Sequence, residues 1–174
     1  MWTWWPRPRV PEPLLSTNPV VSDTSPLISL AAVGRLSVLG DLYGEILVPD
    51  LVRDEYEIGR LASELTLAEC PWIVVVRVNP NPSLPVALDP GETAAMSLAL
   101  ELSARAILLD ERLGRRQAAQ LGLPVVGTLG VLLRAKEQGL IPAVTPIVDE
   151  MIAHGIRIGT ALRTLTLQQS GEYS

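Results

Sequence analysis

Residues 20–26, Val20-Val21-Ser22-Asp23-Thr24-Ser25-Pro26, decide the fold of this chain. They begin as a short apolar strand, and Ser25 followed by Pro26 is typical of a helix start, with a capping residue before a first-turn proline. Working outward, the same alternation of short apolar strands and helices continues along the chain. Because such strands are buried on both faces, the sequence predicts an α/β fold with a mostly parallel sheet covered by helices.

Apolar runs, glycines and prolines predict where each element lies. The predicted strands are Val20-Val21, Glu45-Ile46-Leu47-Val48, Trp72 to Val78, Ala106 to Leu109 and Val125-Val126. The predicted helices are Leu27 to Val33, Leu36 to Tyr43, Pro49 to about Gly59, 61–69, Gly91 to Ser103, Glu111 to Leu121, Thr128 to Gln138, 143–154 and 158–168. The valine run after Trp72 also suits a strand at the edge of the sheet.

Length and composition indicate one folded domain with additions at its ends. A chain of 174 residues is long enough to bury a core, and its 48% hydrophobic content excludes disorder of the whole chain. Residues 1–19 contain three of the four tryptophans and five prolines, which predicts a flexible extension, although a mistranslated leader or a partner-binding tail would have the same composition. We therefore expect an extension over 1–19, a folded domain over 20–168 and a frayed tail over 169–174. The high apolar fraction also favours a homodimer or a protein partner.

Charge, cysteine and histidine counts exclude several kinds of function. The net charge of −5 excludes nucleic-acid binding by bulk charge alone, so such binding requires a local basic patch or bound cations. One cysteine, Cys70, forms no disulfide framework within the chain, and one histidine, His154, argues against Ser-His-Asp catalysis and multi-histidine zinc sites. His154 precedes a glycine and is predicted to end a helix. Since no apolar run reaches the length of a membrane span and no signal-peptide pattern is present, we expect a cytoplasmic protein.

Two aspartates at the ends of predicted strands are candidate site residues. Asp23 follows Val20-Val21, and Asp110 follows Ile107-Leu108-Leu109. Parallel α/β sheets bind ligands beyond the carboxyl ends of their strands, so both carboxylates are placed where a ligand would bind. Turn residues and helix caps are often aspartates too, so the positions alone decide little.

Two glutamates on predicted helices extend this pair. Glu55 lies near the centre of an apolar helix face formed by Leu51, Val52, Tyr56 and Ile58. A carboxylate on such a face requires a cation or a buried arginine as its partner, whereas Asp54 beside it points to solvent. Glu92 fits a capping box with Asp89, and it also heads an apolar stripe made of Ala95, Met96 and Ala99. The two roles of Glu92 can coexist.

The four acids Asp23, Glu55, Glu92 and Asp110 together predict a site for a hard divalent cation. Carboxylate oxygens without histidine suit Mg²⁺ or Mn²⁺. A paired-metal site of this kind activates a water and stabilises the leaving oxygen of a phosphodiester. Bound cations would also reverse the local charge, which answers the objection raised by the net charge of −5.

These motifs, taken in order, resemble those of the PIN-domain ribonucleases, which include the VapC-like toxins of bacterial and archaeal toxin–antitoxin pairs. The resemblance covers roughly residues 20–150 and is carried by Val20 to Ile28, Val48-Pro49 through Val52 to Glu55, Gly91-Glu92 and Ala106 to Asp110. A further run looks like a less characterised PIN-like branch often encoded beside a small antitoxin: Gly127-Thr128-Leu129-Gly130-Val131-Leu132, Ala135-Lys136 and Gly139-Leu140-Ile141.

This resemblance implies a PIN-like three-layer sandwich. It also implies a Mg²⁺- or Mn²⁺-dependent endonuclease that acts on RNA and is held inactive by a cognate antitoxin. It implies that the metal-binding and catalytic residues are Asp23, Glu55, Glu92 and Asp110. Ser25 matches the hydroxyl residue that supports the first aspartate. Family members often carry threonine before the strand-end acid, whereas here Leu109 precedes Asp110 and Glu111 follows it, which leaves the fourth ligand open.

Basic residues after Asp110 are candidates for binding the substrate. Arg115 and Arg116 lie on the helix that follows, and arginine binds phosphate well through its forked N–H groups. Thirteen of the fourteen basic residues are arginine, however, so a solvated helix face explains them equally well.

Two other functions stay open at the level of sequence. A catalytically inactive PIN-like module that binds protein or nucleic acid fits Leu109 and the high apolar fraction. Phosphotransfer through an aspartyl intermediate fits Asp23 at a strand end. Haloacid-dehalogenase-type enzymes place a second aspartate two residues further on, however, where this chain has Ser25.

Overall fold

The computed structural model describes residues 18–85 and 87–173, and the predicted extension over 1–19 lies almost entirely outside them. The strands are β1 (Val20–Ser22), β2 (Ile46–Pro49), β3 (Ile73–Val76), β4 (Ala106–Leu108) and β5 (Val125–Val126). The helices are α1 (Thr24–Ala32), α2 (Ser37–Tyr43), α3 (Asp50–Gly59), α4 (Pro90–Glu101), α5 (Arg112–Gln120), α6 (Thr128–Glu137), α7 (Thr145–Ala153) and α8 (Thr160–Ser170).

The five strands form one sheet in the order β3-β2-β1-β4-β5, and every neighbouring pair is parallel. The eight helices of the described residues flank this sheet, so the predicted three-layer α/β fold is confirmed. In the register, Val20 of β1 lies opposite Ile46 of β2, and Ser22 lies opposite Leu108 of β4. Because all strands run the same way, the residues that follow β1, β2 and β4 meet at one edge of the sheet.

The core lies on both faces of the three central strands, whose residues are all buried. At the sheet edge, β3 is half-exposed and Val75 keeps 38% of its surface in solvent, which agrees with the edge strand suggested by the valine run. Tyr56 of α3 is fully buried, and its hydroxyl donates a hydrogen bond of 2.7 Å to the carbonyl oxygen of Leu65. This side chain connects α3 to the loop that follows it.

Two local expectations are wrong. Residues 61–69 do not form a helix, because a capping box between Thr66 and Glu69 begins only a short 3-10 turn, Leu67–Glu69. Pro71 then disfavours helical geometry at Cys70, so the turn ends there. The first helix starts at Thr24 with Asp23 in the N-cap position, rather than with Ser25 as the cap. Pro26 still falls within the first turn, where its missing N–H costs no helical hydrogen bond.

No single helix of the described residues is long and apolar enough to cross a membrane. The pair α1 and α2 reaches that length only together, and the two helices are bent by 120° at their junction.

Glu172, just after α8, forms hydrogen bonds with α6 and with the start of α7. Its carboxylate accepts hydrogen bonds from Lys136 Nζ at 2.6 Å and from the backbone N–H groups of Val144 and Thr145 at 2.7 Å each. The two backbone donors belong to the start of α7, where a carboxylate is favoured by the helix dipole. Burial alone would raise the pKa of Glu172, but these donors outweigh it and lower the pKa to about 2.

We expect Glu172→Gln to lower the free energy of unfolding by about 2 kcal/mol at neutral pH, the size of a charge-assisted hydrogen-bond set at a partly exposed site. A carboxyl group whose pKa is lower in the folded state stabilises the fold above its ordinary pKa of 4.5 and loses that effect as the pH falls towards 2. The difference between the wild-type chain and the variant should therefore shrink between these pH values. Urea unfolding at a series of pH values measures it, with the exposed Glu137→Gln as control; equal effects of both substitutions would contradict the prediction.

Candidate metal centre

Three carboxylates from separate parts of the chain meet at the carboxyl edge of the sheet. Asp23 follows β1, Glu55 lies on α3, and Asp89 is the N-cap residue of α4. Each offers one oxygen, and these three oxygens all lie within 4.8 Å of one another. Asp23 is buried, Glu55 is half-buried and Asp89 is exposed, so the cluster extends from the core to the surface.

Asp23 is the innermost member of the cluster, with only 2% of its surface exposed. Its Oδ1 is buried and has no hydrogen-bond partner among the described residues. Burial raises the pKa of Asp23 to about 7; the backbone N–H of Thr24 opposes this, and the nearby carboxylates of Asp89 and Glu92 add to it. A buried carboxylate oxygen without a partner is costly, so this atom points to a bound cation.

Glu55 is held by its neighbours rather than by an arginine. The hydroxyl of Thr24 donates a hydrogen bond of 2.6 Å to Glu55 Oε2. No arginine of the described residues lies within salt-bridge distance of Glu55, because the arginines on α3 and just after it, Arg53 and Arg60, pair with Asp54 and Glu57. A salt bridge to a buried arginine, the alternative explanation for an acid on this helix face, is therefore not seen.

The helix face that carries Glu55 differs from the predicted one at Ile58. Val52 and Tyr56 are fully buried, but Ile58 is 87% exposed. Ile58 follows Tyr56 by two positions, which is about 200° around the helix, so it points away from the core. The apolar face is correspondingly narrower, and Glu55 lies beside it, half-buried.

Gly91 leaves the space in which the carboxylate of Glu55 lies. A Cβ built on Gly91 would overlap that carboxylate and would lie 2.8 Å from its carbon, Cδ. We expect Gly91→Ala to displace Glu55 and to lower metal-dependent activity by about 10²-fold, since misplacement by about 1 Å has that effect in catalytic sites. The melting temperature should stay equal or rise slightly, because Glu55 is a flexible side chain and alanine is the better helix former.

Activity assays and thermal melts of Gly91→Ala test this, and Gly159→Ala is the matched control because a Cβ there meets nothing within 4 Å. Full activity of Gly91→Ala would show that the position of Glu55 is unimportant.

Glu92 combines the two roles proposed from the sequence. Its backbone N–H donates to Asp89 Oδ1 at 2.7 Å, and its Oε2 accepts from the Asp89 N–H at 3.3 Å, which completes the capping box. The side chain is only 3% exposed, and its other oxygen, Oε1, has no partner among the described residues. Burial raises the pKa of Glu92, and the carboxylates of Asp89, Glu111 and Glu55 contribute to the rise. Glu92 therefore borders the cluster with one free oxygen, and its role as a ligand stays a prediction.

Asp110 lies at the same sheet edge but is bound to α6. Its Oδ1 accepts a hydrogen bond of 2.7 Å from the Thr128 N–H, and its Oδ2 accepts one of 2.6 Å from the Thr128 hydroxyl. Both oxygens thus bind the first residue of α6, and the three-carboxylate set does not include them. Its role as the last metal ligand stays a prediction.

The predicted substrate-binding residues lie on the surface around this edge. Ser25, Arg115 and Arg116 are all exposed. The Arg115 guanidinium is anchored by a hydrogen bond of 3.0 Å from Nη1 to the Leu109 carbonyl oxygen. Their roles in binding substrate stay predictions.

The sequence does not predict three residues of this site: Asp89, Thr24 and Thr128. The role of Asp89 as a helix cap is a sufficient explanation of this residue from the sequence. The long proline-rich loop before it gives no signal that α4 begins at the edge of the sheet. Thr24 and Thr128 each start a helix next to a strand-end acid, which is the signal that could have identified them as groups that orient carboxylates.

The donor set of the cluster fits a hard divalent cation. All three convergent groups are carboxylates, a buried oxygen of Asp23 has no partner within residues 18–85 and 87–173, and Gly91 leaves room for the Glu55 carboxylate. The single histidine, His154, is exposed at the end of α7, so imidazole makes no contribution here. Oxygen ligands of this kind are those preferred by Mg²⁺ and Mn²⁺.

A parallel sheet with an acidic cluster at its carboxyl edge is the arrangement expected of a metal-binding α/β protein. The family described as DUF3368: PIN domain matches residues 19–172, and the chain belongs to this PIN-domain family. The resemblance inferred from the motifs is thereby confirmed. No curated protein matches the chain.

Among solved structures, the chain is similar to a PilT N-terminus domain protein from the hyperthermophilic archaeon Sulfolobus solfataricus P2. The TM-score is 0.52 at 18% sequence identity, over 67% of this chain and 92% of the other. At that identity the similarity supports the fold alone.

Proposed function

We propose that this chain is a Mg²⁺- or Mn²⁺-dependent endoribonuclease that hydrolyses RNA phosphodiesters and is the toxin of a toxin–antitoxin pair. The observation that carries the proposal is the convergence of Asp23, Glu55 and Asp89 within 4.8 Å, with a buried Asp23 oxygen that lacks a partner in the part of the chain that the structure describes. Membership of the PIN-domain family supports nuclease chemistry at this cluster.

Some residues at the cluster would bind the cation, and others orient the carboxylates that bind it. Asp23, Glu55 and Asp89 would hold the cation, and Glu92 borders them with its free oxygen. A bound divalent cation supplies an activated water and stabilises charge on the leaving oxygen. Thr24 fixes the Glu55 carboxylate through its hydroxyl, and the capping box fixes Asp89 against the start of α4. This orientation before substrate binds is what the chain itself contributes.

Incubation of the full chain with a labelled single-stranded RNA tests the activity. We expect internal cleavage with Mn²⁺ or Mg²⁺, none in EDTA, and no cleavage of DNA of the same sequence. Cleavage that persists in EDTA, or intact RNA at every metal concentration, would contradict the proposal.

The toxin role and its partners form a second part of the proposal. We propose that the chain acts in the cytoplasm as a homodimer and is inhibited by a cognate antitoxin; the high apolar fraction favours such protein contacts. Expression of the chain in bacteria should arrest growth, and co-expression of a cognate antitoxin, to be sought among the proteins encoded by neighbouring genes, should restore growth. Unimpaired growth with the soluble, active chain present would contradict the toxin role.

A catalytically inactive PIN-like binding module is the alternative function. The observation that favours it is Asp110, whose two oxygens both accept hydrogen bonds from Thr128 and which follows Leu109. Calorimetric titration with Mn²⁺ separates the two functions, because a module without a metal site should give no heat, whereas the enzyme should show saturable binding.

A further inference from the structure

A groove of about 340 Å³ begins at Asp110 and runs between α5, α6 and α8. Asp110 follows β4, the strand that pairs with β1, so the groove starts at the same sheet edge as the cluster of Asp23, Glu55 and Asp89. Its volume falls within the range of about 300–1,000 Å³ typical of ligand sites. None of the three cluster residues lines it, so the groove is a separate feature beside the cluster.

Two arginines without an acidic partner border this groove. Arg115 and Arg134 both line it, and neither forms a salt bridge within residues 18–85 and 87–173, whereas Arg53, Arg60 and Arg163 are each paired. The one acid in the lining, Asp110, already accepts two hydrogen bonds from α6. The groove is therefore locally basic in a chain of net charge −5.

Within the described part of the chain, each guanidinium is anchored by a single hydrogen bond. Arg115 Nη1 donates to the Leu109 carbonyl at 3.0 Å, and Arg134 Nη1 donates to the Tyr43 hydroxyl at 3.2 Å. Gly127 allows this arrangement, because a Cβ on it would lie 2.5 Å from Arg115 Nη1. A guanidinium has five N–H donors, so each keeps several for an anion in the groove.

The rest of the lining is apolar. Leu129 of α6 is half-buried, and Leu162 of α8 leaves 52% of its surface exposed at the groove. A ligand that suits this groove combines a negative charge with a flat apolar part. A nucleotide has both, in its phosphate and in the face of its base.

We propose that this groove binds one nucleotide of a single-stranded RNA next to the scissile bond, with a phosphate on Arg115 and Arg134 and the base against Leu129 and Leu162. The proposal rests on the proposed function, which supplies RNA as the substrate. It adds Arg134 and two leucines to the residues that recognise that substrate.

Fluorescence anisotropy with a short labelled oligouridine tests the groove directly. The full chain is titrated in EDTA at low ionic strength, so that binding is measured without cleavage. We expect Arg134→Ala to raise Kd by roughly five- to tenfold and to lower the slope of log Kd against log salt by about 0.7, the value for one lost phosphate contact on a single strand. Leu162→Glu, at an exposed position that tolerates the change, should weaken binding at least as much by placing a carboxylate beside the phosphate.

Arg35→Ala is the charge-matched control. Arg35 is exposed just after the end of α1, and that helix runs away from the sheet edge for nine residues, about 14 Å. Arg35→Ala should leave the Kd close to that of the wild-type chain. Equal effects of Arg134→Ala and Arg35→Ala on the Kd would overturn the proposal. So would a wild-type chain that does not bind the RNA, or one that binds an acidic peptide in the groove in preference to the RNA.

Asp23→Asn separates this proposal from the proposed function. This variant should bind the oligouridine in EDTA at least as tightly as the wild-type chain while cleaving none in Mn²⁺. If Asp23→Asn still cleaves, the proposed metal centre fails while the groove result stands. If the groove variants bind normally, the nucleotide site fails while metal-dependent cleavage stands.

Discussion

Asp23→Asn is expected to lower the rate of Mn²⁺-dependent RNA cleavage by on the order of 10³-fold, the loss typical of a central electrostatic group in an active site. Asparagine keeps the shape of the side chain but removes its charge. Asp23 has a buried oxygen with no partner among the described residues, and its carboxylate is the innermost of the three that converge within 4.8 Å. The charge removed is therefore the one least exposed to solvent and most available to a cation.

Single-turnover cleavage of a labelled RNA measures this effect, and Asp54→Asn is the matched control. Asp54 is an exposed acid of α3 that pairs with Arg53, so the same chemical change there should leave the rate unaltered. Circular dichroism of both variants verifies that the sheet is intact. A rate for Asp23→Asn within a few-fold of the wild-type rate would refute the metal centre.

The second large effect concerns stability in the absence of metal. The pKa of Asp23 is about 7 in the folded chain and 3.8 as its ordinary value. An acid whose pKa is raised by folding does not destabilise the fold at a pH below its ordinary pKa. As the pH rises from that value towards the pKa in the folded chain, the acid lowers the free energy of unfolding by an increasing amount. Since a tenfold change in proton affinity is worth about 1.4 kcal/mol, the free energy of unfolding should fall by about 3 kcal/mol between pH 4 and pH 7.

Urea unfolding in EDTA across this pH range tests the sign and the size of the effect. Asp23→Asn should abolish most of the dependence and should be more stable than the wild-type chain at pH 7, although it is inactive. Added Mn²⁺ should restore the stability of the wild-type chain and not that of the variant, because only a ligand that prefers the folded state stabilises it. A wild-type stability that rises from pH 4 to pH 7 in EDTA would contradict the assignment.

Much of the fold could be predicted because the central strands are apolar and bounded by strong helix signals. Val20–Ser22 and Ala106–Leu108 are buried on both faces, so burial leaves an uninterrupted apolar run in the sequence. The composition of residues 61–69 predicts a helix, but the capping box at Thr66 and the proline after Cys70 restrict helical structure there to a 3-10 turn, Leu67–Glu69. Local signals of this kind compete, and the sequence pattern alone does not rank them.

The site was harder to predict than the fold because its geometry depends on contacts between distant elements. Strand-end position identified Asp23, and the helix wheel identified Glu55 despite the wrong placement of Ile58. Asp89 was missed because a local explanation, the helix cap, was sufficient and also correct. Asp110 illustrates the converse: its position was predicted, but the bonds of its oxygens to Thr128 arise from the approach of α6.

The pairing of Ser22 with Leu108 at the centre of the sheet has a consequence for biosynthesis. A ribosome must release more than half of the polypeptide before β4 can pair with β1, and contacts so far apart in sequence form slowly. The nascent chain carries its acids at 23, 55 and 89 before the sheet can gather them. On the proposed nuclease function, we therefore expect the growing chain to be harmless to the messenger that encodes it until β4 has left the ribosome.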